Sequence, residues 1–447
     1  MSIGSITLQA TIPLEDEYDV LVFGGGPAGA VAAIQAAREG MRTALVERTG
    51  MLGGTATVGG VNFPGLFHTR LGRQVIRGIG WEAIEETVRR GGAALPDFTV
   101  PYPPRKHPRH HILVNRFVYA SVWDDAVRGA GVRLRLHESP AVVRKSERGG
   151  YEVVLAGKTG LSAVYGKTAI DCTGDANVAA LLGLPLEQSE RRQPGTMMYH
   201  MTGYRLEDVD REALRTLAAE AAAAGDIRHT DHSPPGEGEP PFWRELRSGG
   251  GNCNHIVRID GSDSRSKAEA DLQGRAALMR IYRLLRRVPG CADLSIDDFG
   301  AECGIRDTNR IVGEARVTGE DYKTGRLWPD AVCYSYYPID LHLPDDNGID
   351  IRPLADGVVA TIPYGALVPR NSEWLLAAGR IVSGDAEAHS AYRVQASSMA
   401  TGQAAGAAAA IAVRSGVPVR DVDVEELRAT LRRHGAIVPD AREGGTS

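Results

Sequence analysis

Three glycines open the chemistry of this chain. Gly24-x-Gly26-x-x-Gly29 follows an apolar run at residues 18–23 and precedes an alanine-rich stretch that ends at Gly40. This spacing suits a dinucleotide. Gly24 permits the tight turn, Gly26 lets the backbone approach a pyrophosphate, and Gly29 lets a helix pack closely on a strand. The N-terminus of that helix would stabilise phosphate charge. Glu47 closes a second apolar run at residues 42–47, where a carboxylate can accept from ribose hydroxyls.

Further segments carry a resemblance. Glu47-Arg48, followed by Leu52-Gly53-Gly54-Thr55, resembles the stretch that wraps the ribityl and flavin part of FAD in glutathione-reductase-like flavoproteins. Ala169-Ile170-Asp171-Cys172-Thr173-Gly174-Asp175 resembles their strand-plus-Gly-Asp motif. Leu375 to Arg380, with Ser383-Gly384-Asp385, resembles their C-terminal motif, whose Asp binds the ribityl and pyrophosphate region. YDVLVFGGGPAGAVAAIQAAREG, GIRDTNRIVGEARVTGEDY, IDLH and LLAAGRIVSGDAEAHSAYRVQASSMATGQAAGAAAA are similar to an FAD-dependent oxidoreductase family related to fumarate reductase flavoproteins and thiazole-synthesis proteins. The family's usual pattern is closer to GIRETRRIVGEY; Asp307, Asn309 and Ala315 stand here instead. Fingerprint and resemblance together imply FAD, held by Gly24, Gly26, Pro27, Ala28, Gly29, Glu47, Arg48, Gly54, Thr55, Val142, Gly174, Asp175, Gly384, Asp385 and Arg393. The helix beginning near Arg393 is expected to aim its positive end at the flavin's pyrimidine edge.

A flavin that oxidises an alcohol or amine carbon needs a protein group to accept the O–H or N–H proton. Histidine suits that role because its pKa lies near neutrality. His200 and His342 rank first, since their strands are expected to roof the flavin, and His342 shares a strand face with Asp340. His68, His255 and His389 stand behind them, His68 also as a covalent flavin tether. Arg306 is the candidate anion anchor, and its bland alternative, with Arg310, is ion pairing to Asp307 and Glu314. Tyr334, Tyr336 and Tyr337 read as aromatic packing. His107, His110 and His111, in a Pro- and Arg-rich loop, read as solvated surface or substrate entrance, with no metal site expected.

These residues must be positioned by a larger frame. A strand, a helix and a second strand around the fingerprint make a βαβ unit and so a parallel sheet. The expected fold is α/β: a Rossmann-like FAD-binding domain, residues 1–185 and 346–447, with an inserted α+β substrate (cap) domain, residues 186–345. Within the insertion, strands are expected at 197–202, 255–259 and 331–343. Helices are expected at 208–224 and 266–288, and a long surface loop at 226–250. Back in the first domain, a strand at 374–378 and a helix at 392–413 complete the frame.

Composition sets the outer bounds. With 447 residues, two domains are the natural expectation. A net charge of −5 supports no nucleic-acid partner. Five dispersed cysteines read as reduced thiols, and the alanine-rich run 404–413 is too short to span a bilayer, so the expected location is cytoplasmic. A second GxGxxG after a strand is absent. That favours direct oxidation of a small-molecule substrate, with oxygen, a quinone or a carrier as external electron acceptor and an oligomer possible. The leading expectation is a dehydrogenase or oxidase taking a hydride from a small polar metabolite. The alternatives are a flavin monooxygenase or tailoring enzyme, and a flavoprotein acting on a macromolecule such as tRNA.

Overall fold

A computed structural model describes residues 9–104 and 107–440. The chain opens with strand β1 (Leu14–Phe23), helix α1 (Pro27–Arg38) and strand β2 (Thr43–Glu47). β2 is buried along its whole length, as a strand covered on both faces must be. Four more strands follow: β3 (Arg133–Leu136), β4 (Ser139–Lys145), β5 (Tyr151–Gly157) and β6 (Gly160–Asp171). The sheet order is β3-β2-β1-β6-β5-β4, with the strand Leu375–Ala377 also on β6. β1, β2, β3, β6 and Leu375–Ala377 run parallel, whereas β4 and β5 form an antiparallel ribbon. This is a Rossmann-like core, and β1, β6 and Leu375–Ala377 end side by side beneath the glycine loop.

Small residues set how tightly α1 is covered. The helix Gln395–Ser415 crosses it so closely that a Cβ on Gly402 would lie 2.2 Å from the Ala28 carbonyl oxygen. Its alanines are almost all buried, which explains why a helix so poor in large side chains is stable in this place.

The insertion is a second layer of α and β. Its central strand, Tyr199–Thr202, lies between Ser295–Phe299 and Gly250–Gly251. The helices Arg211–Ala224 and Ser264–Leu285 are capped by Asp210 and Asp263. A separate apolar cluster runs from Met197 to Cys303, with Ile305 packed against it. Val317, Tyr322, Tyr337 and Ile339 belong to the cluster built around α1.

Three local expectations are corrected. Residues 331–343 are not one strand. Ala331–Ser335 pairs with Ala360–Pro363, and Ile339–His342 pairs with Ile349–Arg352. Pro338, which has no N–H to give a ladder, lies in the break. Residues 255–259 make only a single bridge, Ile256 to Gly195, because Arg258 takes a left-handed φ of 59°. Residues 226–250 are not a solvated loop. Asp231, His232, Phe242 and Glu245 are buried there, and Arg280 holds Asp231 through two hydrogen bonds of 2.8 and 2.6 Å. Among the described residues no helix is long and apolar enough to cross a membrane.

Candidate functional site

The glycine loop is shaped by what each Cβ would meet. At Gly24, with φ 96°, a Cβ would sit 2.4 Å from the Cys172 carbonyl oxygen; at Gly29 it would sit 1.8 Å from the Gly24 oxygen. Those two glycines serve the packing of strand, loop and helix. Gly26 differs: a Cβ there meets nothing within 4 Å. It is the N-cap of α1 with no side-chain cap, and Pro27 opens the helix. Backbone N–H groups of the first turn therefore face open space, the arrangement that binds phosphate.

Neighbouring segments close around this loop. Glu47 accepts from the Gly25 N–H at 2.6 Å and the Thr49 N–H at 2.7 Å, tying the loop to the end of β2. Gly54 abuts Gly26, since its Cβ would lie 2.9 Å from the Gly26 Cα. Arg48 forms an ion pair with Glu302 of the insertion. The Thr55 carbonyl accepts from the Val61 N–H at 3.0 Å. Gly174 lies beneath the Arg380 guanidinium, which bonds Asp175 at 2.6 Å. Val142 faces outward from the ribbon, paired with Val154.

Gly384 and Asp385 lie between the strand Leu375–Ala377 and the helix Ala386–Tyr392. Gly384 packs under the Tyr392 hydroxyl. Asp385 caps the helix Ala386–Tyr392 through the Ala388 N–H at 2.8 Å and holds the Gly319 N–H at 2.9 Å. In the same segment it is Gly379 that touches the glycine-loop helix, its Cβ position 3.1 Å from the Ala28 Cβ. A glycine placed directly after the strand was the available signal for it.

A second constellation gathers where the insertion meets the start of the helix Gln395–Ser415. Arg306 is 8% exposed and donates to the Pro194 carbonyl at 2.7 Å. Arg393, in the break before that helix, reaches the Asp340 carbonyl at 3.2 Å, its carboxylate at 3.6 Å and Gln193 at 3.4 Å. Gln193 also accepts from the His342 N–H at 3.1 Å. The structure thus brings His342, Arg306 and Arg393 together. His200 is elsewhere on the insertion, opposite Asp298 and Gly250. Among the described residues no hydrogen bond, ion pair or ring contact joins it to His342 or Arg306. Gln193 carried no sequence signal, since an isolated glutamine in a charged stretch reads as surface.

Hydrogen bonds fix the histidine tautomers. A carbonyl only accepts, so His255 donates from Nδ1 to the Asp346 carbonyl at 2.6 Å. Neutral His255 then accepts at Nε2, and His342 donates to it from Nδ1 at 2.8 Å. His342 Nε2 is left as an acceptor, 3.5 Å from the Asp340 carboxylate. Burial, then the Arg306 charge, pushes His342 down to about 3 and His255 down to about 4. Burial alone would raise Asp340, but His342, Arg393 and Arg306 outweigh it and hold the carboxyl well below its usual range. With both rings neutral, His342 Nε2 is free to take a proton, and the Asp340 carboxylate 3.5 Å away would stabilise it there.

Rings line one side of this region. Tyr337 meets His107 with its hydroxyl 3.3 Å from Nε2. His107 lies against His111, and His111 stacks on Phe63 with centroids 4.9 Å apart. The expectation of solvated histidines is corrected here: His110 is buried, and the exposed residues of that turn are Pro108 and Arg109. Among the described residues no group of three His, Cys, Asp or Glu is placed to hold a metal. Arg310 forms a buried pair with Asp307 at 2.8 Å.

Comparison with known proteins agrees with this geometry at the level of family. A family model described as FAD dependent oxidoreductase matches residues 19–431. Over 57 residues the chain is 53% identical to the dihydrolipoyl dehydrogenase of Trypanosoma brucei brucei, a stretch that spans 12% of each protein. A mitochondrial dihydrolipoyl dehydrogenase of Pisum sativum is 49% identical over 66 residues, 14% of this chain and 13% of that protein. Among solved structures, a geranylgeranyl bacteriochlorophyll reductase-like protein of Thermoplasma acidophilum has 14% identity and a TM-score of 0.46, covering 94% of this chain and 83% of that one.

Proposed function

The chain belongs to the FAD dependent oxidoreductase family, and from that premise we propose that it takes a hydride and a proton from a small polar metabolite bound beside His342 and Asp340. FAD is the cofactor, and when bound it supplies the two-electron acceptor. The residues around the glycine loop fit it. Gly26 and the uncapped first turn of α1 would hold the pyrophosphate and Glu47 the ribose, while Gly54, Gly174 and Gly379 let the segments around the loop pack closely.

One observation carries the reading of the reacting end: His342 Nε2 stands 3.5 Å from the Asp340 carboxylate, which would stabilise a proton taken there. His342 is the general base in this reading. His255 is a positioning residue, because its hydrogen bond fixes which nitrogen of His342 carries the proton. Arg306 anchors the substrate. Burial favours the neutral ring, the state a base needs, and the Asp340 carboxylate beside it works the other way, stabilising the imidazolium formed when the proton is taken. The test is single-turnover anaerobic reduction of the flavin across a metabolite panel, repeated in His342→Asn and His200→Ala. His342→Asn is expected to lose about 10²–10⁴-fold in rate with FAD still bound. Wild-type rates in that variant, beside slow rates in His200→Ala, would move the base to His200.

A second reading is a flavin monooxygenase. The ring wall of Phe63, His111, His107 and Tyr337 favours it, because such a wall suits an aromatic substrate. Rapid flavin bleaching by NADH or NADPH, followed by oxygen-isotope incorporation into product, would put this reading first.

A further inference from the structure

A buried charge persists only where opposite charge or hydrogen bonds replace the water it has lost. Arg310 obeys this rule. It pairs with Asp307 at 2.8 Å, lies 3.8 Å from Glu187, and donates to the Gly384 carbonyl at 3.0 Å. Arg306 does not. It too is buried, yet its hydrogen bond goes to a neutral carbonyl, and among the described residues no carboxylate lies within ion-pair distance. Arg393 is little better served. Its Nε is buried without a partner, its closest carboxylate oxygen is 3.6 Å away, and the neighbouring Gln193 Nε2 is also unpartnered.

Charged and titratable groups surround this pair. Arg380 is paired with Asp175, and burial pushes His389 well below its usual range. Asp340 is ionised. His342, His255 and His107 are pushed below their usual range by burial, so they are neutral. Burial raises the Tyr337 hydroxyl and pushes the Cys303 thiol up to about 12, so both are neutral too. Asp307 is engaged by Arg310. Burial and repulsion from Arg393 push Arg306 down to about 10, which still leaves it charged at neutral pH. Two buried cations therefore share one carboxylate.

Resting on the function proposed above, we propose that the bound substrate is a small carboxylic acid bearing an O–H or N–H beside the acid group, a hydroxy or amino acid. Its carboxylate lies between Arg306 and Arg393, and its donor faces His342 Nε2. The guanidinium fork matches a carboxylate in shape as well as charge. The extra positive charge calls for an anion, and the base at His342 calls for a donor. A hydroxy or amino acid meets both requirements with one molecule. A neutral alcohol would leave Arg306 unmatched, and an acid without a donor would give His342 no proton to take.

The FAD-loaded protein is titrated with glycolate and with glycolamide, its neutral counterpart, while flavin absorbance and thermal unfolding are followed. Glycolate is expected to perturb the flavin and raise the unfolding temperature, with glycolamide doing neither. In Arg306→Gln, glycolate affinity is expected to fall about 10- to 100-fold with FAD content unchanged. Arg306→Lys keeps the charge and the fold but not the fork, and is expected to weaken glycolate by a smaller factor. It decides the matter if Arg306→Gln does not fold. Equal responses to glycolate and glycolamide, or wild-type glycolate affinity in Arg306→Lys and Arg306→Gln, would overturn the substrate class and leave the flavin assignment standing. A wild-type protein whose flavin is perturbed by neither compound, nor by any metabolite of the panel, would overturn the placement of the site itself.

Discussion

At the scale of the residue, similar motifs do different work. Gly24 and Gly26 stand two positions apart in one fingerprint, yet Gly24 is left-handed and closed off while Gly26 has φ −70° and open space beside it. Gly26→Val should therefore fold normally and lose FAD, a result read by flavin content beside a thermal melt. Gly24→Ala should instead lower the melting temperature, because its Cβ strikes backbone. The histidines give a pH prediction. His68 and His255 are pushed down to about 4, and His111 and His342 to about 3, all mainly by burial. The unfolded chain binds these protons near pH 6.5 and the folded chain does not. Stability is then level above about pH 6.5 and falls as pH drops from there towards 4. Melting temperatures across that range, flat in wild type, would contradict the buried-neutral assignment.

At the scale of the element, the regular pieces were legible and the joints were not. β1, α1, β2, β6 and the helix Gln395–Ser415 follow from short apolar runs, glycine stops and small-residue packing. The single long strand at 331–343 failed at Pro338, and the strand at 255–259 failed at Arg258, where one backbone angle outweighs a β-rich composition. The helix Ser264–Leu285 buries a face through Ala270, Gly274, Ala277 and Ile281 and leaves Leu272 and Met279 exposed, a phase that the expectation of a helix there did not fix. Asp385 offers a test at this scale. As the cap of Ala386–Tyr392, its loss in Asp385→Ala should cost about 1 kcal/mol of stability and leave FAD bound. Complete loss of FAD with an unchanged melt would instead place its carboxylate on the cofactor.

For the whole molecule, the cofactor half was readable because its contacts are local in sequence: a loop, a strand end, a helix start. The substrate half was readable only in part. Arg306, His342, His255 and Arg393 were each singled out, but Gln193 was not, and the meeting of all five comes from long-range packing that no spacing rule records. The cofactor loop also touches the insertion, through the Arg48–Glu302 ion pair. With one dinucleotide fingerprint in the chain, NADH and NADPH are expected to reduce the flavin slowly or not at all; stopped-flow bleaching measures this. The central claim is that this chain folds around FAD through the glycine loop, and flavin content tests it most directly. Flavin released from purified, FAD-reconstituted protein should be FAD, one per chain in wild type and none in a folded Gly26→Val variant. A wild-type protein that stays colourless after reconstitution, or a Gly26→Val variant that carries a full complement of FAD, would contradict it.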